Sequence, residues 1–179
     1  MQKQRLRIPR LIKPVAAVMA ADRETISQAL DWLSGELGPV DLTSESFTFD
    51  FTDYYASEMG SNLIKQFFSF ERLYPPELLA GLKRRCAAYE RARVNSVNEA
   101  RTVNIDPGYW SDAKLVLAST KNFAHRIAIG RRVFAEITLR YYKGKLGGLE
   151  WTYPDYLSPL ALEFFQKVRM LYLKQITDH

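Results

Sequence analysis

The segment Phe47-Thr48-Phe49-Asp50-Phe51-Thr52-Asp53-Tyr54-Tyr55 carries the clearest secondary-structure pattern of the chain. Phenylalanine alternates with a short polar residue at a period of two, which is the spacing of a β-strand with one buried and one polar face. The segment therefore predicts a strand over about residues 45–51 whose phenylalanines lie in the core. It also places Asp50 and Asp53 on the polar side of that strand or at its end, where a ligand can bind.

Outward from this strand, periodicity and turn residues divide the rest of the chain into elements. The predicted strands cover about residues 13–20, 45–51, 63–72, 102–106, 124–129 and 133–142. Helices are predicted to begin after Asp22, after Pro75 and at Ser158, with a short helix near 112–119. The first six elements have the order β-α-β-β-α-β, which predicts an α+β fold with a ferredoxin-like core. A short helix, a β-hairpin and a C-terminal helix would extend that core.

Length and composition indicate one domain. The chain has 179 residues and a net charge of +5, and we interpret residues 1–11 as a flexible basic arm before a single α+β domain at 12–179. No apolar stretch approaches the ~20 residues that span a bilayer, so no membrane association is expected. Cys86 is the single cysteine; it precludes an intramolecular disulfide, and we expect a cytoplasmic protein.

Two common kinds of site find no support in the sequence. The glycine-rich segment 143–148 has Leu146 after its second lysine, where a phosphate-binding loop has Ser or Thr, and it therefore predicts a hairpin turn. His125 and His179 are the only histidines and do not form a metal-binding pair. No metal site and no cofactor are assigned.

A candidate ligand site follows if the polar faces of three strands coincide. Alternation places Asp50, Asn104 with Asp106, and Glu136 with Arg140 on such faces. The carboxylates would bind hydroxyls, amines or a metal, and Arg72, Lys121 and Arg140 would hold negative charge. His125 is the candidate catalytic residue, because its reference pKa of ~6.5 suits proton transfer. The candidate ligand-binding residues are Asp50, Asp53, Arg72, Asn104, Asp106, Tyr109, Lys121, Glu136, Arg140, Tyr153 and Asp155.

Several segments together resemble a known family. Among them are Asn104-Ile105-Asp106-Pro107-Gly108-Tyr109 and Trp151-Thr152-Tyr153-Pro154-Asp155-Tyr156, with further matches at 49–55, 70–73, 114–121, 125–127 and 135–141. In this order and spacing they resemble the domain of unknown function 4416, an uncharacterised bacterial family without an established activity. The resemblance implies a small cytosolic bacterial protein that retains most of the polar candidates named above.

The sequence thus predicts a cytosolic protein that binds a small anionic or nucleotide-like ligand on a polar sheet face. One alternative is a nucleic-acid-binding accessory protein that uses the basic arm and Lys83-Arg84-Arg85. The other is a metal-assisted hydrolase or transferase that uses an oxygen-rich site. The residues assign neither an enzyme activity nor an oligomeric state.

Overall fold

Helices pack on both faces of one large antiparallel sheet. The computed structural model describes residues 9–51, 59, 62–95 and 100–177, and within them three α-helices and nine strands are formed. This confirms the α+β class. The predicted basic arm lies mostly outside the described residues, as do Asp53 and the rest of the segment 52–58.

The elements have the following bounds. The strands are β1 (Lys13–Ala20), β2 (Val40–Thr43), β3 (Phe47–Thr48), β4 (Ile64–Phe70), β5 (Val103–Ser111), β6 (Lys114–Ser119), β7 (Ile127–Gly130), β8 (Val133–Tyr142) and β9 (Lys145–Gly148). The helices are α1 (Arg23–Leu37), α2 (Leu78–Arg91) and α3 (Pro159–Thr177), and a 3₁₀ helix covers Pro154–Leu157. The sheet order is β2-β4-β1-β5-β6-β8-β7, with β3 on β4 and β9 on β8.

The central strand β1 is buried along its whole length. Ala16 and Val18 contact the apolar cluster under α1 and α2, whereas Val15 and Ala17 contact the cluster under α3. Alternate residues of a strand point to opposite faces, so both faces of β1 need apolar side chains. This explains why the sequence of β1 is a continuous apolar run and does not alternate.

Lys13 connects the two ends of the chain to the sheet. Its ammonium group is completely buried and contacts the carboxylate of Asp41 in β2. It also donates to the carbonyl of Phe70 in β4 and to Oε1 of Gln175 in α3, both at 3.0 Å. One side chain of β1 therefore links two other strands and the C-terminal helix.

The sheet opens between β5 and β6. Within the described ranges, Gly108–Ser111 of β5 pairs with Lys114–Leu117 of β6, and the remaining residues of the two strands do not pair with each other. Beyond this contact β5 remains paired only with β1, and β6 only with β8. Side chains of α2 occupy the open edge: Nζ of Lys83 donates to the carbonyl of Ile105, and the amide of Ile105 donates to Oε1 of Glu90, each at 2.7 Å. A backbone segment without a neighbouring strand thus keeps its hydrogen bonds.

Several predicted elements need correction. Residues 114–119, predicted as part of a short helix, form strand β6. The prediction failed because both faces of this strand are buried, so its sequence is a short apolar run, and such a run does not distinguish a strand from a helix. Strand β5 continues through Pro107, beyond its predicted end at residue 106. Residues two apart on a strand direct their N–H groups to the same side, so the missing N–H of Pro107 faces the opening, as the amide of Ile105 does.

The opening segment also forms less strand than predicted. Only Phe47 and Thr48 pair with β4, and the neighbouring strand β2, which was not predicted, forms over Val40–Thr43. The predicted hairpin turn at 143–148 is confirmed by β8 and β9, which pair around Lys143 and Gly144. Among the helices of the described residues, none is both long and apolar enough to cross a membrane.

Candidate functional site

A cavity of about 470 Å³ lies where β5 and β6 separate. Its walls come from α2, from the edges of β4, β5, β6 and β8, and from the 3₁₀ helix at Pro154–Leu157. This volume falls within the range of ~300–1,000 Å³ that is typical of small-molecule sites. The cavity therefore results directly from the incomplete pairing of the sheet.

A buried ion pair forms one wall of the cavity. Nζ of Lys65 lies 2.6 Å from Oδ2 of Asp155, and both side chains are almost completely buried. The ammonium group also lies 4.7 Å from the ring centre of Tyr156 and 5.2 Å from that of Phe49. Cation–π contacts of this kind favour the charged amine in an otherwise apolar wall.

A second charged group lies at the open edge of β5. Nζ of Lys83 is 3.4 Å from Oδ1 of Asp106, whose other oxygen accepts a hydrogen bond of 2.8 Å from Nδ2 of Asn104. Burial raises the pKa of Asp106, but the charges of Lys83 and Lys65 and the hydrogen bond from Asn104 outweigh burial and hold this pKa below its ordinary value. Asp106 is thus an ionised acceptor at neutral pH.

Glu90 shows the opposite behaviour in the same wall. Burial raises the pKa of this carboxyl above its ordinary value, and the nearby Lys83 and the hydrogen bond from Ile105 offset that rise only in part. Its Oε2 lies 3.4 Å from Nη1 of Arg101, which also donates to Asn104 at 2.9 Å. Two carboxyls of one cavity therefore differ in how readily they accept a proton.

Glu136 organises the opposite wall. Its Oε2 accepts a 2.6 Å hydrogen bond from Nε of Arg126 and lies 3.0 Å from Nε2 of His125. The imidazole of His125 stacks on Trp151 with a ring separation of 5.0 Å and an interplanar angle of 5°. The carboxylate and the indole together fix the orientation of His125.

Arg126 joins two segments at the cavity entrance. Its Nη1 donates to Oγ of Ser119 at 3.0 Å and to the carbonyl of Lys121 at 2.9 Å. Its Nη2 donates to the hydroxyl of Tyr153 at 3.4 Å. The guanidinium group therefore ties the loop after β6 to the segment before the 3₁₀ helix.

Three aromatic side chains at the cavity are partly exposed. Phe51, Phe123 and Tyr153 have exposed fractions of 38%, 63% and 52%, and all three line the cavity. Burial of such rings is favourable, so this surface offers a planar molecule apolar contact beside the charged walls. We call these three residues the aromatic rim.

The structure brings together seven of the sequence candidates. Asn104, Asp106, Lys121, Glu136, Tyr153 and Asp155 line the cavity, and His125 contacts it through Glu136. Asp106 and Glu136 are on the same face because their partners, Ala17 and Leu117, belong to the same apolar cluster. The expected convergence of β5 and β8 is present for these two residues.

Arg140 does not join them, contrary to the expectation from alternation. Leu115 of β6 pairs with Leu139, but the next residue, Val116, pairs with Ile137. Thr138 is therefore the extra residue of a β-bulge, and a bulge changes which residues share a face. Glu136 consequently shares a face with Leu139, and Arg140 points to the opposite face, where it is exposed and packs on Tyr142.

The opening segment departs in part from its expected roles, although Phe47 packs against the apolar cluster under α3 as predicted. Asp50 is exposed and is not among the residues that line the cavity, whereas Phe49 and Phe51 on either side of it are. The β3–β4 ladder ends at Thr48, although the amide of Phe49 still donates to the carbonyl of Leu63, just before β4, at 2.7 Å. Phe49 and Phe51 thus contribute to the cavity wall; Phe49 is half-buried, and Phe51 is exposed, contrary to its predicted place in the core.

Two further candidates lie elsewhere. Arg72 follows the C-terminal end of β4, whereas Lys65 lies at its N-terminal end. Arg72 packs over Gly38: a Cβ atom added to Gly38 would lie 2.8 Å from Cδ of Arg72. Tyr109 is on β5 but on the face toward α2, where it packs beside Val116. Neither residue lines the cavity.

Sequence reasoning missed most of the basic residues in the cavity. They are Lys65, Lys83, Arg101 and Arg126. For α2 a signal was present: Leu79, Lys83, Cys86 and Glu90 follow helical spacing, so two charged residues occupy the apolar stripe of the helix. A charge at a buried position is uncommon unless it is paired, and the pattern therefore identifies Lys83 and Glu90.

The carboxylates of the cavity each contact a basic side chain. The contacts are Asp155 with Lys65, Asp106 with Lys83, Glu90 with Arg101 and Glu136 with Arg126. In the part of the chain that the structure describes, no three His, Cys, Asp or Glu side chains are grouped so that they could hold a metal ion.

The family model described as Domain of unknown function (DUF4416) matches residues 10–172. No curated protein and no solved structure gives a significant match to the chain.

Proposed function

The chain belongs to the DUF4416 family, and on that premise we propose that it binds a small anionic or nucleotide-like ligand in the cavity between β5 and β6. The observation that carries this proposal is the composition of the walls. Five basic side chains (Lys65, Lys83, Arg101, Lys121 and Arg126) and four carboxylates line one cavity, together with the aromatic rim. The basic excess favours an anion, and the rim favours a planar ring.

The wall charges suggest how the ligand is oriented. Asp106 is ionised and only accepts hydrogen bonds, so it suits hydroxyl or amino groups of the ligand. Lys121 lies near the entrance beside Arg126, so this side suits the negative group. His125 is held by Glu136 behind the wall, and we propose that it positions Glu136 and exchanges a proton only with that carboxyl group, since the guanidinium group of Arg126 stays protonated.

A thermal-shift experiment tests the binding proposal. Adenosine monophosphate, guanosine monophosphate and indole-3-acetate serve as probes, and native mass spectrometry of the purified protein detects a copurifying molecule. We expect at least one probe to raise the melting temperature, since a ligand that binds only the folded state stabilises it. If no probe does so and no molecule copurifies, the proposal fails.

A pair of variants locates the effect. Phe123 and Tyr142 are both aromatic and have exposed fractions of 63% and 57%, but only Phe123 lines the cavity. Phe123→Ala should abolish the thermal shift, and Tyr142→Ala should retain it. Equal responses of the two variants would contradict binding at the aromatic rim.

We also propose that the first half of the chain is a ferredoxin-like unit. The strand order β2-β4-β1-β5, in which all neighbours are antiparallel, supports this assignment, and α1 and α2 both pack on one face. A crystal structure with another strand order would overturn it. A cytoplasmic location stays a prediction, which cell fractionation can test.

The nucleic-acid alternative gains no specific support. Lys83, one of its three basic residues on α2, is buried and contacts Asp106, and Arg85 pairs with Glu36 at 2.7 Å. Among the described contacts, Arg84 is the one member of this cluster that is exposed and forms no ion pair. The cavity is therefore the better-supported site.

A further inference from the structure

A second, smaller groove lies between the start of α2 and strand β7. It has a volume of about 270 Å³ and is lined by Pro76, Glu77, Leu79, Ala80, Tyr109, Ile129 and Ala135. The lining is mostly apolar, and the groove is separate from the first cavity because the two share no lining residue. A groove of this kind has room for an aliphatic side chain.

Strand β7 leaves apolar side chains beside this groove. All four of its residues are exposed, and Ile127 and Ile129 have exposed fractions of 74% and 37%. Ala128 pairs with Phe134 and Gly130 with Val133, so Ile129 is the extra residue of a bulge. A bulge re-aims a side chain, and here Ile129 is directed into the groove.

The turn after β7 has an unusual composition. Gly130 pairs with Val133, so Arg131 and Arg132 form a two-residue turn, with φ angles of 56° and 60°. Positive φ at both central residues is the geometry of a type I′ turn. This turn favours Asn-Gly, whereas two arginines adopt it only with strain. Strain of this kind is often associated with function. Both arginines are exposed.

Positive charge converges at the same place. A Cβ atom added to Gly81 of α2 would lie 3.3 Å from Nη1 of Arg85 and 3.7 Å from Nη1 of Arg131. Two guanidinium groups therefore lie over one turn of α2, and Arg132 is the next residue of the turn. Glu36 neutralises only Arg85 in the described contacts. Glu77 lies one helical turn earlier in the groove and gives it an acidic end.

We propose that this groove binds a short acidic and hydrophobic segment of a partner protein. A leucine or isoleucine of the segment occupies the apolar groove, and its neighbouring carboxylates contact Arg131 and Arg132 by charge-assisted hydrogen bonds. Glu77 sets the direction in which the segment binds, since it repels a carboxylate of the segment at the end of the groove away from Arg131 and Arg132. Charge complementarity selects this occupant.

A second copy of the chain fits this surface less well. The bulge at Ile129 interrupts the edge of β7 and disfavours continuous strand pairing. In a two-fold pairing of β7 with itself, the turn of one copy would lie close to Arg126 of the other, where like charges repel. Dimer formation is therefore an outcome that the test must exclude.

The test measures fluorescence anisotropy with three labelled hexapeptides. One has two central leucines between pairs of glutamates, the second replaces both leucines by serine, and the third replaces all glutamates by lysine. We expect saturable binding of the first peptide that is at least tenfold tighter than that of the other two. Equal binding of the serine peptide, or no binding of the first, overturns the proposal.

The double variant Arg131→Asn/Arg132→Gly separates function from folding. It introduces the residues that the turn prefers, so the melting temperature should stay the same or rise, while peptide affinity falls at least tenfold. Lys143→Asn/Lys145→Asn removes the same charge at the β8–β9 turn and should leave the affinity unchanged. Retained binding in the first variant refutes the proposal, and so does a sedimentation-detected dimer that the first variant dissociates.

Discussion

At the scale of single residues, the cavity is a set of buried charges whose positions are set by their partners. For a buried ion pair such as Lys65 with Asp155, the attraction between the charges offsets the free-energy cost of desolvation only when the geometry is good and each charge has its partner. Asp106 and Glu90 show how different the outcomes are in one wall. Lys83 lies beside both, yet the pKa of Asp106 is lowered and that of Glu90 is raised.

Glu90 yields a prediction about pH. Because its pKa is raised in the folded state, folding favours its protonated form, and its contribution to stability is present at low pH and is lost as the pH rises through the folded-state pKa. Glu90→Gln keeps an acceptor for the amide of Ile105 but does not titrate. The stability of this variant relative to the wild type should therefore increase from pH 4 to pH 7.

Urea unfolding at several pH values measures this difference. Glu163→Gln is the control, since Glu163 is exposed and its pKa is lowered by Lys167, so the relative stability of this variant should not increase over the same pH range. A constant difference between Glu90→Gln and the wild type would show that burial of Glu90 is not linked to protonation.

At the scale of elements, the decisive feature is the short contact between β5 and β6. A Cβ atom on Gly108 would lie 2.4 Å from the carbonyl oxygen of Val116 and 2.6 Å from Cδ2 of Leu117. These distances are far below van der Waals contact, so the two strands approach closely only because this position has no side chain. The cavity begins where this contact ends.

Gly108→Ala should lower the free energy of unfolding by about 2 kcal/mol or more, since overpacking against backbone forces the strands apart. Gly147→Ala in β9 is the matched control: its added methyl group would meet no atom within 4 Å, and reduced freedom of the unfolded chain should leave stability equal or slightly higher. Denaturant unfolding measures both. Equal effects at the two sites would contradict the close contact.

The sequence predicts some elements much better than others. Strand β1, helix α1 and helix α3 could be predicted because the apolar patterns that define them are local in the sequence. The N-cap of α1 is local as well: Oδ1 of Asp22 accepts a hydrogen bond of 2.8 Å from the amide of Thr25. The bulge at Thr138 and the separation of β5 from β6 depend on how distant strands pair. Alternation alone could not reveal them, and for that reason Arg140 was assigned to the wrong face.

At the scale of the whole molecule, Lys13 connects elements from both ends of the chain. Lys13→Met keeps an apolar stem of similar length but leaves Asp41 and the carbonyl of Phe70 without this donor. We expect a loss of about 2 kcal/mol in the free energy of unfolding, because the buried carbonyl of Phe70 and the partly buried carboxylate of Asp41 each lose a hydrogen bond from a charged donor.

Lys174→Met in the same helix that contributes Gln175 serves as the control for Lys13→Met. Lys174 is exposed, and a surface substitution of this kind usually changes stability by less than about 0.5 kcal/mol. Both variants are compared by urea unfolding with the wild type. If Lys13→Met is no more destabilising than its control, Lys13 does not stabilise the joined elements.

The open edge of β5 makes the binding site and the scaffold mutually dependent. Lys83 and Glu90 face the cavity and at the same time replace the strand that would otherwise hydrogen-bond to Ile105. Any molecule that competes for these two side chains also changes how firmly that backbone is held. The exchange rate of the Ile105 amide proton with solvent is therefore a built-in reporter of occupancy, readable without knowing what the occupant is.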